Sequence, residues 1–232
     1  MLRAALLLLA ALAAAPAGAE ITGARYAAPT SRYAHGVLGD AVEYGALELT
    51  LANGRTRRII LPESRVFEDL APRLADVDGD GAPEVIAVET DLDRGARLSI
   101  YDEDGLVAAT PFIGTRFRWL APLGAADLDG DGYTEIAYID RPHLAKTLRV
   151  WRFRGGRLDQ VATLEGLTNH RIGQDFISGG IRNCGPRPEI VAASADWSRL
   201  MAVTFDDRQL AATDLGPYSR ENAAAALACR TP

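Results

Sequence analysis

Lysine is almost missing from this chain: of its 25 basic residues only Lys146 is a lysine, an arginine bias of the kind a GC-rich bacterial genome produces. Those arginines form no basic block and the net charge is -6, which argues against nucleic acid as a partner, because phosphate binding needs a concentrated positive face. Histidine is scarce as well. His35, His143 and His170 lie in no recognisable catalytic motif, and there is no G-x-S-x-G, no Walker loop and no H-E-x-x-H. After the first 19 residues no apolar run approaches the length of a membrane span. Cysteine is limited to Cys184 and Cys229, far from the N-terminal segment, which argues against a lipid-anchored N-terminus.

That segment has the plan of a secretory signal peptide: a charge at Arg3, an apolar stretch from Ala4 to Ala15, and a small-residue exit at Ala17-Gly18-Ala19. Cleavage near Ala19 leaves one domain over residues 20–232, destined for the periplasm or the medium, with no membrane span. In that oxidising compartment an even pair of cysteines predicts one disulfide, Cys184 to Cys229.

Two acidic loops dominate what is present. Asp76 to Glu84 read D-V-D-G-D-G-A-P-E, and Asp127 to Glu135 repeat them as D-L-D-G-D-G-Y-T-E. Three aspartates at alternate positions of one tight turn repel each other unless a cation lies between them. Oxygen ligands in a flexible loop suit calcium better than zinc or copper. An EF-hand would need a bidentate Glu at the twelfth loop position, where Ala87 and Tyr138 stand.

The loops start 51 residues apart, and each precedes a similar pair of strand-like runs: Glu84-Val85-Ile86-Ala87 with Ala96 to Tyr101, and Glu135-Ile136-Ala137-Tyr138 with Thr147 to Phe153. A third copy, without the aspartates, follows at Pro188-Glu189-Ile190-Val191 with Arg199 to Phe205. At the N-terminus Gly36 to Glu43, Gly45 to Leu51 and Arg57 to Leu61 read as the last three strands of a fourth. Glu221 to Cys229 falls where the missing strand would be supplied. Its alanines favour a helix; repeat register favours a strand, and strand is the expectation. The pattern is that of an all-β, small propeller of about four four-stranded blades, the last closed by strands from both chain ends.

With their flanking strands the two loops resemble the FG-GAP or VCBS repeat family. The resemblance implies a β-propeller with calcium in the loop joining the first and second strands of a blade. By position it assigns one site to the side chains of Asp76, Asp78, Asp80 and Glu84 with the carbonyl of Ala82. The other takes Asp127, Asp129, Asp131 and Glu135 with the carbonyl of Tyr133. Five protein ligands leave little room for substrate, so both calcium ions are expected to be structural.

Trp119, Trp151 and Trp197 are expected between blades. An exported, non-catalytic recognition scaffold for a protein or polymer partner is the leading expectation; an enzyme with its site in the propeller channel is the alternative. Each first strand is entered through an arginine, Arg65, Arg116, Arg171 and Arg220, and equivalent positions in a propeller lie on a ring. Four converging guanidiniums would suit an anionic partner.

Overall fold

The computed structural model describes residues 19–207 and 209–230; the expected signal peptide, apart from Ala19, lies outside the described residues. The described chain is all-β with one short helix, in three antiparallel sheets, none of them closed. An N-terminal unit of three strands, β1 (Ile21–Thr30), β2 (Glu43–Leu51) and β3 (Thr56–Ile60), comes first. The unit with the first acidic loop holds β4 (Arg65–Phe67), β5 (Arg73–Ala75), β6 (Glu84–Asp91), β7 (Gly95–Tyr101) and β8 (Leu106–Ala109). The next holds β9 (Leu120–Ala126), β10 (Glu135–Asp140), β11 (Thr147–Arg154) and β12 (Arg157–Glu165). The last holds β13 (Leu167–Thr168), β14 (Gly180–Arg182), β15 (Glu189–Ser194), β16 (Arg199–Asp206) and β17 (Gln209–Pro217), followed by α1 (Arg220–Leu227).

The first strand of the unit is continuous only in β9. In the other two full units it is broken: β4 and β5 pair with opposite halves of β6, as β13 and β14 do with β15. The breaks put loops 68–72 and 169–179 where an unbroken strand would run. A single pair, Tyr44 with Phe67, joins the N-terminal unit to the next.

Alternation along the strands explains how the sheets stack, because successive side chains point to opposite faces. Val85 and Ala87 of β6 pack with Ile21, Leu47 and Leu49 of the preceding unit and with Phe67 of β4. Ile86 and Val88 point the other way, into a layer with Trp119, Ile136, Tyr138 and Trp151. Ala137 and Ile139 of β10 then meet Ile190, Val203 and Phe205 of the last unit. β6 and β10 are buried on both faces, which is why Val85 to Val88 and Ile136 to Ile139 read as continuous apolar runs.

Three expectations are corrected. Gly36 to Glu43 is not a strand: Gly36 and Gly39 take φ of 66° and 96° in a turn-rich loop, and the strand beside β2 is β1 instead. Trp197 lies in the β15–β16 turn at φ 63°, edge-on to Tyr218, while Trp119 and Trp151 are buried between sheets. The C-terminal segment is a helix, so no C-terminal strand closes a blade. Ser219 caps it by accepting a hydrogen bond from the Asn222 amide, and Glu221 occupies its first turn. With the cap and alanine propensity acting together, Ala223 and Ala226 dock on Val191 and Leu200. The Cys184–Cys229 disulfide then fastens the end of α1 to the β14–β15 loop.

Candidate functional site

The two acidic loops fold by the same set of hydrogen bonds. In the first, the Asp76 carboxylate accepts from the Gly79 and Gly81 amides at 2.8 and 3.0 Å, Asp78 from Asp80, Asp80 from Ala82, and Glu84 from Val77. In the second, Asp127 accepts from Gly130 and Gly132 at 2.7 and 3.0 Å, Asp129 from Asp131, Asp131 from Tyr133, and Glu135 from Leu128. Gly81 and Gly132 supply the left-handed turn, at φ of 94° and 87°. One oxygen from each of Asp76, Asp78 and Glu84 lies within 4.8 Å of the others, and Asp127, Asp129 and Glu135 repeat that grouping. Asp80 and Asp131 stand at the exposed lip of each loop.

The surroundings differ. Among the described residues no cation pairs with Asp76, Asp78, Asp80 or Glu84. One step beyond the Val85–Tyr101 pair comes Asp102, which with Glu103 and Glu20 borders the same cleft. Burial, then the charges of Asp78, Asp80 and Asp76, push the Glu84 carboxyl up to about 7. This all-oxygen, all-acidic set fits calcium.

In the second loop Arg152 of β11, paired in register with Glu135, reaches into the carboxylates. Its guanidinium meets Asp129 at 2.5 Å, Asp131 at 2.8 Å and Glu135 at 2.5 Å. The loop as folded therefore already holds one positive charge, and its fit to calcium is poorer. Nothing in the local sequence of the loop announces Arg152, since it arrives from the neighbouring strand.

All three histidines meet on another part of the molecule. The Glu68 carboxylate, fully buried, accepts from Thr90 Oγ1 at 2.6 Å and lies 2.5 Å from His35 Nδ1. His143 Nε2 is 3.0 Å from His170 Nδ1, and His170 Nε2 is 2.9 Å from the Gln174 carbonyl. That carbonyl only accepts, so in the neutral pair His170 is protonated on Nε2 and His143 donates from Nε2. Burial lowers the pKa of both; His143, which also feels His170 and His35, falls to about 4. His35 and His143 line a small pocket with Phe117, Arg118, Trp119 and Leu144. Phe117 and Arg141 on its walls hold left-handed backbone, at φ of 55° and 46°, unusual for non-glycine residues and often found at functional sites. The convergence has no local sequence signal, because the three residues come from non-equivalent positions of different units.

Of the four strand-entry arginines, Arg65 pairs with Glu89 at 3.0 Å. Arg116 lies over Phe117, Arg171 over Trp197 and Arg220 over Phe176.

Residues 76–138, spanning both acidic loops, match the FG-GAP-like repeat. Among curated proteins none matches the chain. Two solved structures resemble it at a distance. One is the Bacillus licheniformis rhamnogalacturonan lyase PL11, with 17% identity and a TM-score of 0.44 over 78% of this chain and 44% of that one. The other is the exotype rhamnogalacturonan lyase YesX, with 16% identity and a TM-score of 0.41 over 74% and 40%. The chain spans less than half the length of either.

Proposed function

We propose that the chain is an exported propeller-type repeat protein in which calcium pins an acidic loop between strands, and that it serves as a rigid, non-catalytic recognition scaffold. The observation that carries this reading is the first loop: Asp76, Asp78 and Glu84 present oxygens to a single point with no counter-cation among the described residues. Calcium is the group the residues would hold, and its part is structural, joining the ends of β5 and β6. Arg116, Arg171 and Arg220, stacked on aromatic rings, favour an acidic partner, because guanidinium forks suit carboxylates.

Calcium at a hundredfold its dissociation constant stabilises a fold by about 2.7 kcal/mol. Chelator-treated protein is therefore expected to take up calcium in a calorimeter and to melt higher with it, and Asp78→Ala is expected to lose that uptake. A melting temperature indifferent to chelator and calcium rejects the reading.

The three-histidine pocket supports a second reading, an enzyme. His35, backed by a buried carboxylate, has the arrangement of an oriented general base, and His143 beside it is neutral at physiological pH. Turnover of an ester, phosphate or glycoside panel that His35→Gln abolishes without lowering the melting temperature would place this reading first.

A further inference from the structure

We propose that Arg152 is the resident cation of the second acidic loop, so that of the two loops only residues 76–84 take calcium at concentrations that saturate that site. The inference rests on the calcium reading above and divides it between two loops that share a sequence pattern.

Because their internal hydrogen bonds are the same, the loops cannot differ through their own fold. They differ in the strand that runs beside the last carboxylate. In the unit with the second acidic loop that strand brings Arg152, and three of the four acidic side chains there share its guanidinium. The arginine is only 20% exposed and lies 5.8 Å from the centre of the Phe205 ring, so its charge is partly withdrawn from water. A divalent ion among Asp127, Asp129 and Glu135 would share two of its three carboxylates with this guanidinium. Two cations at such separation repel strongly in a partly buried setting. Calcium entry therefore requires Arg152 to leave, and the loop is competent only in the fraction of molecules where it has left.

The unit with the first acidic loop has the opposite neighbour. Asp102 follows β7 at the matching place, Glu103 and Glu20 flank it, and the cleft has no cation of its own among the described residues. Every added carboxylate there raises the attraction for a divalent ion, whereas the guanidinium next to Asp129 satisfies the same demand internally. A competing internal cation that occupies its loop in 99 molecules of 100 lowers apparent calcium affinity about a hundredfold.

The test uses the mature chain, stripped with chelator and titrated with calcium chloride by calorimetry. Wild type is expected to take up one equivalent in the tight range, Asp78→Asn none, Arg152→Gln two, and the double variant one. Asp129→Asn, in the loop held by Arg152, is expected to leave the single tight equivalent in place. Melting supplies a second readout: calcium-free Arg152→Gln should melt below calcium-free wild type, since three carboxylates have lost their partner, and calcium should restore more of its stability. Should Arg152→Gln not fold, Arg152→Lys, which keeps the charge but not the fork, is expected to bind calcium at the second loop more tightly than wild type. Two tight equivalents in wild type, one of them lost in Asp129→Asn, would overturn the proposal while leaving the calcium reading intact. No uptake by wild type or by Arg152→Gln would reject the calcium reading itself.

Discussion

Glu43, at the head of β2, is 4% exposed and faces other acids. Burial first, then Glu68, Asp40 and Asp69, push its carboxyl from the ordinary 4.5 up to about 9. Below pH 4.5 the group is protonated in both folded and unfolded chains and has no pH effect. Between 4.5 and 9 only the unfolded chain ionises, so stability falls as pH rises through that window, by up to about 3 kcal/mol at pH 7. Glu43→Gln keeps the neutral shape and removes the ionisation, and it is expected to raise the melting temperature at pH 7.5 and leave it unchanged at pH 4.5. An equal effect at both values would mean that Glu43 is already ionised in the folded chain. At this scale the sequence reveals ligands that are near in the chain and hides those that are not. Asp76, Asp78 and Glu84 are legible because one turn carries them all. Arg152, His35, His143 and Glu68 are not, because strand pairing and sheet stacking bring them to their partners from other segments.

Among the elements, β6, β10 and β15 are legible as continuous apolar runs opened by Glu, and their partners β7, β11 and β16 as alternating ones. β1 is hidden by its small, half-exposed residues, and α1 by repeat register, which pointed to a strand while the Ser219 cap favoured a helix. The helix covers Val191 and Leu200 on the outer face of the last sheet. Eight residues with little intrinsic stability would not stay docked unaided. The disulfide, closing a separation of 45 residues, fastens it; the chain-entropy model assigns such a loop about 4 kcal/mol. Reductant, or Cys184→Ser with Cys229→Ser, is therefore expected to lower the melting temperature and to expose the Ala223–Leu227 amides to fast hydrogen exchange. Unchanged exchange in α1 after reduction would show that packing alone holds it.

The described residues form successive sheets, the inner ones lending both faces to their neighbours, with the chain passing through four apolar layers in turn. In such a row, stability is a sum of terms between neighbours, and the ends have one neighbour instead of two. A closed ring would equalise the units. Here the three-stranded N-terminal unit and the last unit, which carries α1, meet through loops, where the Gly173 amide donates to the Val37 carbonyl at 3.1 Å, and no strand pairing joins them among the described residues. Protection should therefore be graded. β6 and β10, buried along their whole length between two layers, are expected to exchange their amides only on global unfolding. β3, whose residues are mostly exposed and which pairs only with β2, is expected to open locally and exchange much faster. If the first acidic loop takes calcium as proposed, the ion should slow exchange at the end of β5 and the start of β6 without altering β15, whose unit has no acidic loop. Hydrogen exchange followed by mass spectrometry, with calcium and with chelator, resolves these segments. Uniform protection from β1 to β17 would contradict an open row and would point to closure of the ring, within one chain or between two.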